Sequence, residues 1–333
     1  MPPKILILGG GNIGAITTYL LSHSIPASSI VVICRSNYPT ISQSGMTLNS
    51  TIWGSNLHIH PTAVQSIPEA ADHHPKPDGY DYVCITTKAL TASQTSAAQL
   101  LKPLISPHTT IVLMQNGIGI EEPYRQTFPD NPIISAVLYT PCTQTQPGVY
   151  SHTLLTTMHL GTYPSTAPPA HQTSTRDFVS MLNKGGASAT HEPEIQFARW
   201  KKLLINGSEN AICALTRVRD VEFLRCVEGA EGFMRDVMGE LASVARGLGF
   251  GGVDDGVVEE QLAVVTGREF PGVEPSMLAD VWMGRDLETE CILGNVVRLA
   301  RGVGVEVPRV EALYFLLKGL EGGVRMRRGE GGR

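Results

Sequence analysis

Three side chains stand four residues apart in one apolar stretch: Lys202, Asn206 and Asn210, within Trp200-Lys201-Lys202-Leu203-Leu204-Ile205-Asn206-Gly207-Ser208-Glu209-Asn210-Ala211-Ile212-Cys213-Ala214-Leu215. A four-residue step on a helix puts all three on one stripe. The remaining faces are apolar, which predicts a buried helix. A buried ammonium and two buried amides are costly unless something bonds to them, and a polar pocket would satisfy all three. The alternative is an amphipathic helix whose polar stripe faces water. Gly207 and Ser208 would let another backbone or a ligand approach closely. Glu209 fits neither reading, and Lys201 lies off the face that carries the asparagines.

A second constellation lies at the start of the chain. The apolar run Lys4-Ile5-Leu6-Ile7-Leu8 is followed by Gly9-Gly10-Gly11-Asn12-Ile13-Gly14 and then by a helical stretch from Ala15. Gly9 permits a sharp turn, Gly11 lets the backbone approach a pyrophosphate, and Gly14 lets helix and strand pack closely. The N–H groups of Asn12, Ile13 and Gly14 open that helix, where its dipole favours negative charge. A glycine turn alone is a weak signal; its place after a buried-type strand strengthens it. The next strand, Ser29 to Cys34, runs into Arg35-Ser36-Asn37 with no carboxylate nearby. A guanidinium suits a ribose 2′-phosphate and the Ser36 hydroxyl can add a bond, so this end reads as NADP(H)-binding. His58 and His60 lack a third ligand and read as surface residues, so no metal site is predicted.

The elements that must position these groups alternate between strand and helix in the first half. Tyr80–Thr87 reads as a strand ending at Lys88, and Ile111–Met114 as one ending at Gln115-Asn116-Gly117. In open α/β sheets ligands sit beyond such ends, so Lys88 and Asn116 face the cofactor crevice. Residues 45–62 read as a hairpin and 71–79 as a polar, proline-rich loop. Residues 133–161 read as three short strands extending the sheet in antiparallel fashion, and 163–174 as a surface loop. From Glu192 the spacing is helical: 194–215, 225–248, 257–266, 287–302 and 310–320. The fold class is therefore α/β followed by an all-helical part: a dinucleotide-binding domain over 1–191 and a helical domain over 192–321. The Gly- and Arg-rich tail 322–333 has no apolar pattern and reads as disordered.

Composition narrows the partners. The chain has 333 residues, 42% hydrophobic and 17% charged, with a net charge of −5. That balance gives no broad basic surface for nucleic acid. No apolar run is long enough to cross a bilayer, and the start has no signal-peptide core, so the expected location is cytoplasmic. Six scattered cysteines without a Cys-x-x-Cys pair read as buried thiols of a reducing compartment.

The ordered set of residues resembles the ketopantoate reductases. The glycine turn, Arg35, Thr87-Lys88, Gln115-Asn116-Gly117 and Trp-x-Lys-Leu-x-x-Asn-x-x-x-Asn over 200–210 recur in that order, followed by Pro275-Ser276-Met277-Leu278-Ala279-Asp280 and Glu288. The resemblance implies an N-terminal Rossmann-type domain, a helical substrate domain and a substrate cleft between them. It implies NADPH-dependent reduction of 2-dehydropantoate, a small 2-oxo acid, to pantoate, a step towards pantothenate, and it allows a homodimer. Carried over residue by residue, Lys202 resembles the general acid and Glu288 the carboxylate supporting it. Asn116, Asn206, Asn210 and Ser276 resemble the substrate-holding groups, and Lys88 and Asn116 line the cofactor side. An ammonium can polarise a keto oxygen and then give it a proton as hydride arrives. Ala211 in place of a usual proline, Glu209, and Gly284-Arg285-Asp286 depart from the family pattern and bear on the pocket. A related reductase for another keto acid, or a non-catalytic NADP(H) sensor, are the alternatives.

Overall fold

The computed structural model describes residues 1–89 and 97–329. The chain divides into two compact units, the first made of Met1–Lys88, 97–115 and Ile120–Ile195, the second of Ala89, Asn116–Gly119 and the chain from Gln196 onward.

The strands of the first unit are β1 (Ile5–Leu8), β2 (Ile30–Ile33), β3 (Met46–Ser50), β4 (Gly54–Ile59), β5 (Thr62–Val64), β6 (Tyr82–Ile85), β7 (Thr110–Leu113), β8 (Ile133–Tyr139), β9 (Cys142–Gln146), β10 (Val149–His152), β11 (Thr157–Thr162) and β12 (Ser188–His191). Its helices are α1 (Asn12–Ser22), α2 (Tyr38–Ser44), α3 (Ile67–His73), α4 (Ala97–Leu100), α5 (Glu122–Thr127) and α6 (Pro169–Lys184). One sheet has the order β12-β11-β8-β7-β6-β1-β2-β5. Its central strands are parallel: Ile5 of β1 pairs with Ile30 on one side and Tyr82 on the other. They are short apolar runs buried along their length, as strands covered on both faces must be. The connection from β1 leads to β2 on one side, and the chain later returns to β6 on the other. That reversal places the switch point beside β1, and the glycine turn follows β1 directly. Ile16 and Leu20 of α1 join Phe178 and Leu182 of α6 in the core.

Several local expectations change. Residues 133–161 do not all extend the main sheet: β8 and β11 pair there antiparallel, whereas β9 and β10 join β3 and β4 in a second sheet, β4-β3-β10-β9. The 45–62 hairpin is the β3–β4 pair of that second sheet. The 71–79 loop begins as helix, because α3 runs to His73 from a Ser66 cap that accepts the Glu69 N–H. The 163–174 loop gives way at Pro169 to α6, with proline in its first turn. His58 and His60 are exposed.

The second unit carries α7 (Ile195–Thr216), α8 (Asp220–Cys226), α9 (Ala230–Gly247), α10 (Asp255–Thr266), α11 (Ser276–Trp282), α12 (Asn295–Val303) and α13 (Pro308–Arg327). The 225–248 stretch is not one helix. Gly229, at φ 80°, breaks it ahead of α9. Nor is 287–302 uniform: a π-helical turn over Glu290–Gly294 precedes α12. The tail is corrected too, since α13 continues to Arg327. Glu321 pairs with Lys318 and Arg325 along that helix, and Asp286 pairs with Arg325 and Arg328. These ion pairs hold a segment that has no apolar stripe of its own. Residues 330–333 lie outside the described residues. Among the cysteines, Cys34, Cys84, Cys213 and Cys291 are buried, but Cys226 is exposed, contrary to the reading of all six as buried thiols.

Candidate active site

In the helical unit, Lys202 projects from α7 and its Nζ donates to Asn116 Oδ1 at 3.1 Å. Asn116 Nδ2 donates to Glu288 Oε2 at 3.3 Å, and the Ala89 N–H donates to Glu288 Oε1 at 3.2 Å. The amide orientation follows from its neighbours, because an ammonium offers only donors and a carboxylate only acceptors. Asn116 therefore bridges a cation and an anion. Burial lowers the Lys202 pKa to about 8; the Arg199 charge lowers it further and Glu288 opposes both. Lys202 nonetheless keeps part of its surface accessible.

The rest of the stripe divides its work. Asn206 is partly exposed and has no side-chain hydrogen bond among the described residues. Asn210 is buried, and its Oδ1 accepts the Met277 N–H at 3.1 Å and the Ser276 hydroxyl at 3.4 Å. It thus caps the start of α11 and leaves Nδ2 for other work. Ser276 is exposed. Of the two uses expected of Gly207, the approach of another element is the one seen. A Cβ on Gly207 would stand 2.8 Å from Leu241 Cδ1, so the glycine lets α7 pack against α9. The Ser208 hydroxyl is spent on the Leu204 carbonyl at 2.6 Å.

Glu209 finds its place in a separate buried cluster. It pairs with Arg268 at 2.9 Å, and Arg268 also pairs with the fully buried Asp220. Asp220 in turn accepts the N–H groups of Val221 and Val273. One guanidinium serves two carboxylates; burial pushes the Glu209 pKa up to about 7, against the pull of Arg268 and with the push of Asp220. Lys201 forms a pair with Glu260 at 2.9 Å, away from this chemistry.

Sequence reasoning missed Arg199. It is 3% exposed, one helical turn before Lys202, and its Nη1 donates to the Gly117 carbonyl at 2.8 Å. A buried arginine on the stripe's side of an apolar helix was the available signal.

In the first unit, Gly9 adopts φ 122°, and a Cβ on Gly14 would overlap the Gly9 carbonyl oxygen. A Cβ on Gly11 would meet no protein atom within 4 Å. Helix α1 starts there with no side-chain cap and no acidic residue in its first turn. The N–H groups of Asn12, Ile13 and Gly14 belong to that turn, which suits an anion at the helix start. Arg35 and Ser36 are exposed just past β2. Lys88 is partly exposed three residues past β6. Two further residues hold the turn: Tyr150 donates to the Gly10 carbonyl at 2.6 Å, and Asn37 Nδ2 donates to the same carbonyl at 2.9 Å. Neither has a role in the sequence reading. Thr86 adds bonds to the Leu8 and Gly9 carbonyls.

Family models decide the relationship. "Ketopantoate reductase PanE/ApbA" matches residues 5–165, and "Ketopantoate reductase PanE/ApbA C terminal" matches residues 194–321. The chain belongs to the ketopantoate reductase family. An uncharacterized protein of Saccharomyces cerevisiae is 27% identical over 98% of this chain and 96% of its own length. The 2-dehydropantoate 2-reductase of a Nostoc species is 25% identical over 96% of this chain and 95% of its own. The crystal structure of 2-dehydropantoate 2-reductase from Methylococcus capsulatus matches with a TM-score of 0.81 at 30% identity, covering 96% of this chain and 97% of that one. Ketopantoate reductase is thus an oxidoreductase family that this chain matches along almost its whole length. Among the described residues, no helix is long and apolar enough to cross a membrane.

Proposed function

We propose that this ketopantoate reductase family member reduces 2-dehydropantoate to pantoate with NADPH. The observation that carries the reading is the Lys202–Asn116–Glu288 chain, with Lys202 poised near pH 8. A lysine of ordinary pKa holds its proton too tightly to give it up readily; one near 8 is both charged at neutral pH and a competent acid.

In this reading NADPH supplies the hydride. The glycine turn and the start of α1 hold its pyrophosphate, with the space beyond Gly11 admitting close backbone approach. Arg35 and Ser36 hold the 2′-phosphate, and no carboxylate at that strand end repels it. Lys88 lies at a neighbouring strand end of the same sheet and serves the cofactor side. Lys202 points its ammonium at the keto oxygen, neutralises the charge that grows there, and delivers a proton. Asn116 fixes the direction of that ammonium, and Glu288 anchors Asn116. Asn206 and the free Nδ2 of Asn210 bond the substrate's carboxylate and hydroxyl, with Ser276 beside them. Amides suit this task because they orient an acid without adding a competing charge.

The test is oxidation of NADPH by the purified protein with 2-dehydropantoate, run beside other 2-oxo acids and with NADH in parallel. Turnover that prefers 2-dehydropantoate and NADPH supports the reading. Turnover confined to another keto acid keeps the chemistry of Lys202 but rejects the substrate. NADPH binding without turnover on any acid rejects the enzyme reading in favour of a sensor.

A further inference from the structure

We propose that Arg199 is a positioning residue of this site, holding the Gly117 carbonyl and thereby setting where Asn116 presents its amide to Lys202 and Glu288. The proposal rests on the reading of Lys202 as proton donor and adds a residue to it.

The short segment that carries Asn116 is pinned at three successive backbone groups. Arg199 Nη1 bonds the Gly117 carbonyl at 2.8 Å, the Cys291 carbonyl accepts the Ile118 N–H at 2.9 Å, and Asn295 Nδ2 bonds the Ile118 carbonyl at 2.6 Å. Gly117 sits at φ 99°, and a Cβ there would stand 2.5 Å from the Cys291 carbonyl oxygen, so the backbone lies flat against the π-helical turn. That turn begins two residues after Glu288. Single π-turns of this kind are frequent at functional sites. Arg199 comes from the other wall, α7, which also carries Lys202. Of the two partners of Asn116, Lys202 thus shares α7 with Arg199, and Glu288 lies two residues ahead of the π-turn that grips the segment.

Fold stability alone does not favour this arrangement. Arg199 is a buried guanidinium one helical turn from the half-buried ammonium of Lys202, and like charges at that spacing repel. An apolar side chain would avoid both that repulsion and the desolvation cost. The arrangement does favour proton delivery, since the charges around Lys202 are Arg199 on its own helix and Glu288 ahead of the π-turn, and they pull its pKa in opposite directions.

Two substitutions separate position from charge. Arg199→Lys keeps the cation but loses the planar fork; Arg199→Met loses both. Each is assayed for kcat and KM across pH and for NADPH affinity. Lys202 titration is followed by NMR of 13C-methylated lysines, and the Asn116 side-chain amide by 15N NMR. Both variants should lose about ten- to a hundredfold in kcat with NADPH affinity unchanged. Both should shift the Asn116 amide signal, and only Arg199→Met should move the Lys202 titration to higher pH. Full activity and an unmoved Asn116 signal in Arg199→Lys would overturn the positioning role, as would a wild-type signal in Arg199→Met. The NMR measurements need no turnover, so an inactive wild-type enzyme would reject the proposed reaction while the Asn116 signal still judged Arg199.

Discussion

The hydroxyl of Tyr150, at the middle of a strand in the second sheet, donates to the carbonyl of Gly10 in the glycine turn at 2.6 Å, across 140 residues of sequence. The dinucleotide turn is therefore shaped from outside as well as by its own glycines. Tyr150→Phe removes that bond and leaves Gly10 to Asn37 alone. We expect a stability loss of about 0.5–1.5 kcal/mol and a severalfold rise in the NADPH Kd. Thermal unfolding and a fluorescence titration with NADPH measure the two. An unchanged Kd would mean that the turn keeps its shape without the tyrosine.

Lys202→Ala should lower kcat by about a hundred- to ten-thousandfold while NADPH binds as before. Lys201→Ala should stay near the parent rate, because Lys201 is engaged with Glu260. The parent's kcat/KM should fall as pH rises through about 8, the value at which Lys202 loses the proton it must deliver. A profile flat to pH 10 would remove Lys202 as the acid.

Arg35→Ala should weaken NADPH much more than NADH, because only the former carries the 2′-phosphate. The measurement is the ratio of kcat/KM for the two cofactors. An unaltered ratio would free Arg35 from any part in cofactor choice.

Glu209→Gln tests the buried cluster through stability rather than rate. The folded-state pKa of Glu209 is raised from 4.5 to about 7, so folding takes up a proton in that window. The stability this group contributes is full below pH 4.5 and is lost as pH rises through about 7. Glutamine keeps a bonding oxygen towards Arg268 and does not titrate. Its Tm relative to the parent should therefore improve between pH 4.5 and 7. A constant difference would show that Glu209 titrates as an ordinary exposed carboxylate does.

What the sequence makes legible is local. Gly9, Gly11 and Gly14 act within six residues of one another, and Lys202, Asn206 and Asn210 share a face through spacing alone. The roles of Asn37 and Tyr150 are invisible because each works on a backbone carbonyl far along the chain, and Arg199 shows in the sequence only as a charge on an apolar helix, without its distant partner. Gly207 illustrates a second limit: the same missing Cβ that admits a ligand also admits Leu241, and only packing tells the two apart. The π-helical turn after Glu288 was hidden because one extra residue barely disturbs an apolar pattern with a period of 3.6. The end of α13 was hidden for the opposite reason, since ion pairs to Glu321 and Asp286 do there what an apolar stripe does elsewhere.

Asn210 carries one consequence further. With its oxygen committed to the Met277 N–H, its amide cannot turn round, so the group left for another partner is N–H. Lys202, too, has nothing but hydrogens to give. A molecule approaching these two groups is sorted by its lone pairs: a carboxylate or a keto oxygen finds partners at both, whereas an ammonium meets one group that repels it and another with no acceptor left to offer. In the proposed reading of the site, the helix cap that looks purely architectural would also be a filter for anions.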